Sequence, residues 1–128
     1  MPTVLVAADA QWVREQVRTA FVGPDHEVVE VTRGQDVSAA VAKVEPDLVV
    51  LDLQIGNMGG FATAIELHLD AGAGRVPEVP ILLLLDREAD RFLAERAAAD
   101  AALVKPVDAG TLRRAAKGLI GADQPAPA

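Results

Sequence analysis

The sequence predicts an α/β domain built on a doubly wound, five-stranded parallel sheet with helices on both faces. Strand-like and helix-like segments alternate along the whole chain, and most of the strand-like segments are apolar at nearly every position. Strands that are apolar throughout are buried on both faces, as in a parallel sheet covered by helices. A chain of 128 residues is long enough to form one such domain with its own core.

The five predicted strands are short and rich in Val, Leu and Ile. They are Thr3–Ala7, Glu27–Val31, Leu48–Leu51, Ile81–Leu85 and Ala101–Val104. Because right-handed crossovers join parallel strands, the carboxyl ends of all five are expected at one edge of the sheet. In open α/β sheets, ligands bind at that edge.

The five predicted helices have apolar residues at the i, i+3 and i+4 spacing of a helix face. They are Ala10–Phe21, Gln35–Val44, Gly59–Leu69, Glu88–Ala98 and Ala109–Ile120. In the third and fourth helices, the residues expected to face the core are Phe61, Ile65 and Leu69, and Ala89, Phe92, Leu93 and Ala97.

The end of the chain has a different composition from the rest. Gly121 is expected to cap the last helix, and the segment ADQPAPA that follows resembles a frayed tail. The domain is therefore predicted to span residues 1–121, and residues 122–128 are predicted to form a flexible C-terminal tail.

Composition excludes several classes of function. A net charge of −7 argues against binding to a nucleic-acid backbone, which requires clustered Lys and Arg. The absence of cysteine excludes disulfides and thiolate chemistry. The longest apolar runs are too short to cross a membrane, and the N-terminus lacks the basic region of a signal peptide. A cytoplasmic protein without membrane contact is expected.

Four charged residues follow predicted strands and should therefore meet at one edge of the sheet. They are Asp9, Asp52, Asp86 and Lys105. Asp9 and Asp86 each have a simpler interpretation as the N-cap of the next helix, and Lys105 could be a solvated surface lysine. Asp52 is harder to explain in this way, because the next predicted helix begins several residues later.

Taken together, these positions resemble the receiver domain of two-component response regulators. The resemblance rests on VLVAADA before a helix, on PDLVVLDLQIGNMGGF and on ALVKP before the last helix, and covers about residues 3 to 120. It implies a flavodoxin-like sheet of order 2-1-3-4-5. It also implies that Asp52 accepts a phosphoryl group and that Lys105 pairs with the phosphoryl oxygens. Asp9, Asp52 and the backbone carbonyl of Gln54 would then hold Mg²⁺.

The sequence departs from the family pattern at several positions. Ala8 replaces one of two adjacent acids, Leu85 replaces a Thr or Ser, and Ala102 replaces an aromatic residue. Gly56 and Gly59 replace the usual Pro and Asp of the loop. A weakened Mg²⁺ site is therefore expected, and the hydroxyl–aromatic relay of the family cannot operate.

The expected function is that of a stand-alone, atypical receiver in a phosphorelay, which is not an enzyme and acts by protein–protein contact. The alternative is a pseudo-receiver that binds its partner without phosphorylation. Gln54 argues against a haloacid-dehalogenase phosphatase, which needs Asp there, and against a cobalamin-binding module, which needs His. The expected partners are a histidine kinase or phosphotransfer protein and a downstream protein target. Direct DNA binding is not expected, and the oligomeric state should be a monomer or weak homodimer.

Overall fold

The computed structural model describes residues 2–21, 26–55 and 59–122. Five parallel strands form one sheet in the order β2-β1-β3-β4-β5, which confirms the predicted topology. The strands are β1 (Thr3–Ala7), β2 (Glu27–Val31), β3 (Leu48–Asp52), β4 (Ile81–Leu85) and β5 (Ala101–Val104). Four of them have the predicted bounds, and β3 extends one residue further to include Asp52.

Helices cover both faces of the sheet. One face packs against α1 (Gln11–Ala20) and α5 (Ala109–Ala122), and the other packs against α2 (Val37–Val44), α3 (Gly60–Gly72) and α4 (Arg91–Arg96). The central strands β3 and β4 are buried along their whole length, as the apolar pattern predicts. Among the described residues, no helix combines the length and the apolar character needed to cross a membrane.

Two of the predicted helices begin with a 3₁₀ turn. Gly34–Asp36 precedes α2 and Glu88–Asp90 precedes α4. In the 3₁₀ turn before α4, the Asp90 carboxylate accepts a hydrogen bond from the backbone N–H of Arg87 at 3.1 Å. This contact satisfies a donor that an α-helix would leave unpaired at its start. The fourth helix is also shorter than predicted, because the chain leaves the right-handed helical region at Ala98, where φ is 55°.

The last helix is longer than predicted. It continues through Gly121 to Ala122, so the prediction that Gly121 caps it is wrong. A glycine lowers helix propensity but does not by itself end a helix. Residues 123–128 lie outside the described part of the chain, and the flexible tail stays a prediction.

The face of α3 that packs on the sheet is not the predicted one. Phe61 is partly buried, but Ile65 is 36% exposed and Leu69 is 68% exposed. The buried residues are instead Gly60, Thr63, Ala64 and Leu67. They follow the helical spacing counted from Gly60, where the helix comes closest to β3. A Cβ atom on Gly60 would lie 2.4 Å from the backbone oxygen of Asp52, so this close approach sets the rotation of the helix.

The fourth helix shows a similar error on a smaller scale. Ala94 and Ala97 are buried, but Phe92, which was predicted to face the core, is 58% exposed. The residues of this helix that face the core are therefore small, and the Phe92 ring lies outside.

Candidate functional site

Asp52 is the last residue of β3 and lies at the carboxyl edge of the sheet. Its neighbour on one side is Leu84 of β4, and the residue before it, Leu51, pairs with Ala7 of β1. Only 1% of Asp52 is exposed. A carboxylate this buried requires compensation by hydrogen bonds or charge.

The two oxygens of Asp52 have different surroundings. Oδ1 accepts a hydrogen bond from the backbone N–H of Gln54 at 3.2 Å and one from the ammonium of Lys105. Oδ2 is buried and has no hydrogen-bond partner among the described residues. An unpartnered, buried carboxylate oxygen is unfavourable by itself, and a bound cation would compensate for it.

Lys105 reaches Asp52 from the end of β5. Its backbone N–H donates to the carbonyl of Leu85 at 2.8 Å, which places it beside the end of β4, and its peptide bond to Pro106 is cis. The Lys105 side chain is only 8% exposed, so the interpretation of this residue as a solvated surface lysine is wrong. Besides Asp52, its Nζ contacts Oδ1 of Asp86 at 2.9 Å.

The ionisation of Lys105 is set by these contacts. Burial alone would lower its pKa, but the hydrogen bonds to Asp52 and Asp86 and the charges of both carboxylates together raise it. Lys105 is therefore protonated at neutral pH and provides a fixed positive charge between two acids.

Asp86 is the residue whose role the sequence did not predict. Its carboxylate binds Lys105 through Oδ1 and accepts a hydrogen bond from Nε2 of Gln54 at 2.8 Å through Oδ2. Burial would raise the pKa of Asp86, but the hydrogen bonds from Lys105 and Gln54 and the lysine charge lower it below its ordinary value. The N-cap interpretation of Asp86 is wrong, because Arg87 stands at that position before the 3₁₀ turn and Asp90 before α4.

Asp9 lies at the same edge but does not join this cluster in the structure. It is exposed, and its backbone carbonyl accepts a hydrogen bond from Arg14 at 2.8 Å. The N-cap position of α1 belongs to Ala10, whose side chain makes no capping bond, so the N-cap interpretation of Asp9 is also wrong. Within residues 2–21, 26–55 and 59–122, no three His, Cys, Asp or Glu side chains form a group that could hold a metal ion. The predicted Mg²⁺ ligands include only two such side chains, Asp9 and Asp52, together with the Gln54 carbonyl. This smaller set is not tested by that observation and stays a prediction.

Three of the positions that depart from the receiver pattern are buried or half-buried. Ala8 and Leu85 are fully buried, and Ala102 is half-buried. Leu85 presents no hydroxyl towards the cluster, and the Ala102 backbone carbonyl accepts a hydrogen bond from Arg91 at 3.1 Å. Gly59 is the N-cap residue of α3 and has no side chain to form a capping bond, whereas Gly56 lies outside the described residues.

The single tryptophan of the chain lies close enough to report on this site. Trp12 is in the first turn of α1 and is 53% exposed. Its ring centroid is 6.0 Å from Nζ of Lys105, which is within the range of a cation–π contact.

The chain is similar to known proteins over most of its length. The response regulator receiver domain family matches residues 4–117. Protein PilH of Pseudomonas aeruginosa is 28% identical over 112 residues, which are 88% of this chain and 92% of that protein. The KDP operon transcriptional regulatory protein KdpE of Escherichia coli is 33% identical over 115 residues, and there the match spans 88% of this chain but only 48% of the relative.

Solved structures share the fold. The chemotaxis protein CheY4 of Vibrio cholerae has a TM-score of 0.80 at 22% identity, covering 93% of this chain and 98% of that one. The receiver domain of the sensor histidine kinase PA1611 of P. aeruginosa has a TM-score of 0.75 at 20% identity, covering 94% of this chain and 98% of that one, and carries a magnesium ion in its active-site cleft.

Proposed function

The chain belongs to the response regulator receiver domain family, and from that premise we propose that it accepts a phosphoryl group on Asp52. The observation that supports this proposal most directly is the pairing of a buried carboxylate with a buried lysine 53 positions away in the sequence. A structural acid could be satisfied by backbone donors alone. Here the sheet instead brings a charged side chain from the end of β5 onto the end of β3.

The chemistry requires a nucleophile and a compensating charge. A carboxylate oxygen of Asp52 attacks the phosphorus of the donor, a new O–P bond forms, and the bond from phosphorus to the donor breaks in line with it. Because both the carboxylate and the phosphoryl group are negative, their approach is unfavourable without positive charge nearby. Lys105 supplies part of this charge, since it is already within hydrogen-bonding distance of Asp52.

Mg²⁺ would supply the rest, and the residues present fit it. Asp52 Oδ2 is a buried oxygen without a partner, and oxygen ligands are those that Mg²⁺ prefers. Asp52, Asp9 and the backbone carbonyl of Gln54 would hold the ion, with waters completing its coordination. When bound, the ion would offset the negative charge of the transferring group. A weak site is expected because Ala8 provides no ligand.

The output of this receiver is proposed to be contact with another protein. With Leu85 and Ala102 at the relay positions, a hydroxyl cannot bind the phosphoryl group and draw in an aromatic ring. The proposed partners are a histidine kinase or phosphotransfer protein and a downstream target protein. The negative net charge favours basic or apolar partner surfaces over nucleic acid.

The test is phosphorylation of the purified chain with acetyl phosphate and Mg²⁺, followed by intact mass measurement. We expect one phosphoryl group on the wild-type chain and none on Asp52→Asn. The matched control is Asp36→Asn, which removes an exposed acid paired with Arg33, and this variant should still be labelled. If the folded wild-type chain stays unlabelled by acetyl phosphate and by several histidine kinases, the proposal fails and the pseudo-receiver alternative takes its place.

A further inference from the structure

The cluster beside Asp52 contains one cation shared between two acids. Lys105 Nζ is in contact with Asp52 Oδ1 and lies 2.9 Å from Asp86 Oδ1. Asp86 is itself held in place, because Gln54 Nε2 donates to its second oxygen at 2.8 Å. The backbone N–H of the same Gln54 donates to Asp52. Gln54 therefore ties the two acids together, with Lys105 between them.

We propose that Asp86 is a positioning residue that holds Lys105 in competition with Asp52. The geometry gives Asp86 no simpler role, since it caps no helix and its carboxylate oxygens are already engaged by Lys105 and Gln54. The same engagement argues against a second possibility, that Asp86 replaces the acid missing at Ala8 as a metal ligand.

Phosphorylation of Asp52, which is the proposed function on which this step rests, would change the contacts of Lys105. In the resting state, Lys105 is in contact with both carboxylates, so its one positive charge is divided between them. A phosphoryl group on Asp52 would add negative charge and strong acceptor oxygens. Lys105 would then bind the phosphoryl oxygens more strongly than Asp86, and Asp86 would lose its cation while being repelled by the new charge.

The release of Asp86 would act directly on the segment between β4 and α4. Asp86 is the first residue after β4, and the 3₁₀ turn Glu88–Asp90 begins two residues later. A change of the Lys105 contact from Asp86 to the phosphoryl group could therefore move this segment without a hydroxyl at position 85. The site would thus have a charge-based relay in place of the missing one.

The experiment uses Asp86→Asn, which removes the charge and keeps the shape of the side chain. The matched control is Glu88→Gln, which removes one charge from the same segment but from a residue that pairs with Arg91. The first readout is the exchange rate of the Lys105 ammonium protons with water, measured by NMR without metal or phosphate. We expect faster exchange in Asp86→Asn and no change in Glu88→Gln. An unchanged rate in Asp86→Asn would overturn the proposal, whatever happens at Asp52.

The second readout is the affinity for beryllofluoride, an acyl-phosphate analogue, at saturating Mg²⁺, followed by Trp12 fluorescence. Because Lys105 no longer has a competing partner, Asp86→Asn should bind the analogue about tenfold more tightly than wild type, equivalent to about 1.4 kcal/mol, and Glu88→Gln should bind like wild type. Binding by Asp86→Asn that is equal to or weaker than that of wild type would overturn the proposal.

The two readouts separate this proposal from the proposed function. If no variant binds the analogue but Asp86→Asn still accelerates the exchange of the Lys105 protons, phosphorylation at Asp52 is in doubt and the positioning role of Asp86 is supported. Circular dichroism checks that each variant is folded, and Asp86→Ala provides a second substitution with the same expected direction.

Discussion

Replacing Lys105 with methionine should destabilise the protein strongly, because it leaves a buried carboxylate without its cation. Methionine has a similar length and fills the same space, so the packing around the aliphatic part of the side chain should persist. The charge is lost. Asp52, which is only 1% exposed, would keep a single described donor, the backbone N–H of Gln54.

The magnitude follows from the burial of the pair. Breaking a buried ion pair by removing one partner destabilises a protein by about 3–5 kcal/mol. The lower end applies here, about 3 kcal/mol, because the cluster lies at the edge of the sheet and its third member, Asp86, is 35% exposed. In a domain of this size that loss should lower the midpoint of thermal unfolding by roughly 10 °C. A solvated surface lysine would contribute little to stability, but the Lys105 side chain is only 8% exposed.

The assay is urea denaturation at neutral pH without Mg²⁺, comparing the free energy of unfolding at an unchanged slope. Lys43→Met is the control, since Lys43 is an exposed lysine on α2 and its replacement should change stability by less than about 0.5 kcal/mol. Asp52→Asn should lose about 1 kcal/mol or less, because Lys105 keeps Asp86 as a partner. Equal losses in Lys105→Met and Asp52→Asn, or a loss below about 1 kcal/mol in Lys105→Met, would refute this reasoning.

Three further predictions concern the same edge of the sheet. Gly60→Ala should destabilise the fold by about 2 kcal/mol in the same denaturation assay, because its Cβ would overlap the Asp52 carbonyl, whereas Gly72→Ala, which meets no neighbouring atom, should not. The stability difference between wild type and Asp86→Asn should be constant from about pH 5 to pH 9. It should shrink as the pH falls through the lowered pKa of Asp86, and also as the pH rises through the pKa of Lys105, which is raised above 10.5. Mg²⁺ should change Trp12 fluorescence only weakly and at millimolar concentrations, and saturation at micromolar Mg²⁺ would contradict a site that lacks one acid.

The strands could be predicted from sequence because their apolar runs have no other plausible location. Leu48 to Leu51 and Ile81 to Leu85 are buried at every position, and only a central strand of a covered sheet provides that environment. The convergence of Asp52 and Lys105 followed from the same logic, since parallel strands end at one edge. The order of the strands came from the family resemblance, because local patterns do not say which strands are neighbours.

The rotation of α3 could not be predicted from its apolar spacing, because this helix has apolar residues on more than one face. Its rotation depends on the contact between Gly60 and the Asp52 carbonyl, which joins residues of two elements. A glycine at the first position of the helix was the available signal. Counting the helical period from it gives Thr63, Ala64 and Leu67, the residues that are buried.

The contact of Asp86 with Lys105 could not be predicted from the sequence, because an N-cap role is a simpler interpretation of this residue. An Asp shortly before a helix is usually an N-cap, and nothing local distinguishes that role from a contact with a distant lysine. The register of the strands makes the distinction. Leu85 pairs with Val104, so Asp86 and Lys105 are the first residues after two adjacent strands.

The same register allows the phosphoryl site to act on the segment after β4 without a hydroxyl at position 85, because it places Asp86 beside Lys105. A hydroxyl at position 85 would have to lie within hydrogen-bonding distance of the phosphoryl group and rotate towards it. A carboxylate one residue later needs only a shared cation, since the interaction between charges falls off gradually with distance and depends little on angle. Leu85 is fully buried and can therefore serve the core, while Asp86, Lys105 and Gln54 form the polar contacts above it. In the proposed relay the apolar substitution and the additional acid are complementary: Leu85 fills the core beneath the site, and Asp86 gives Lys105 a second partner that it leaves when Asp52 is phosphorylated.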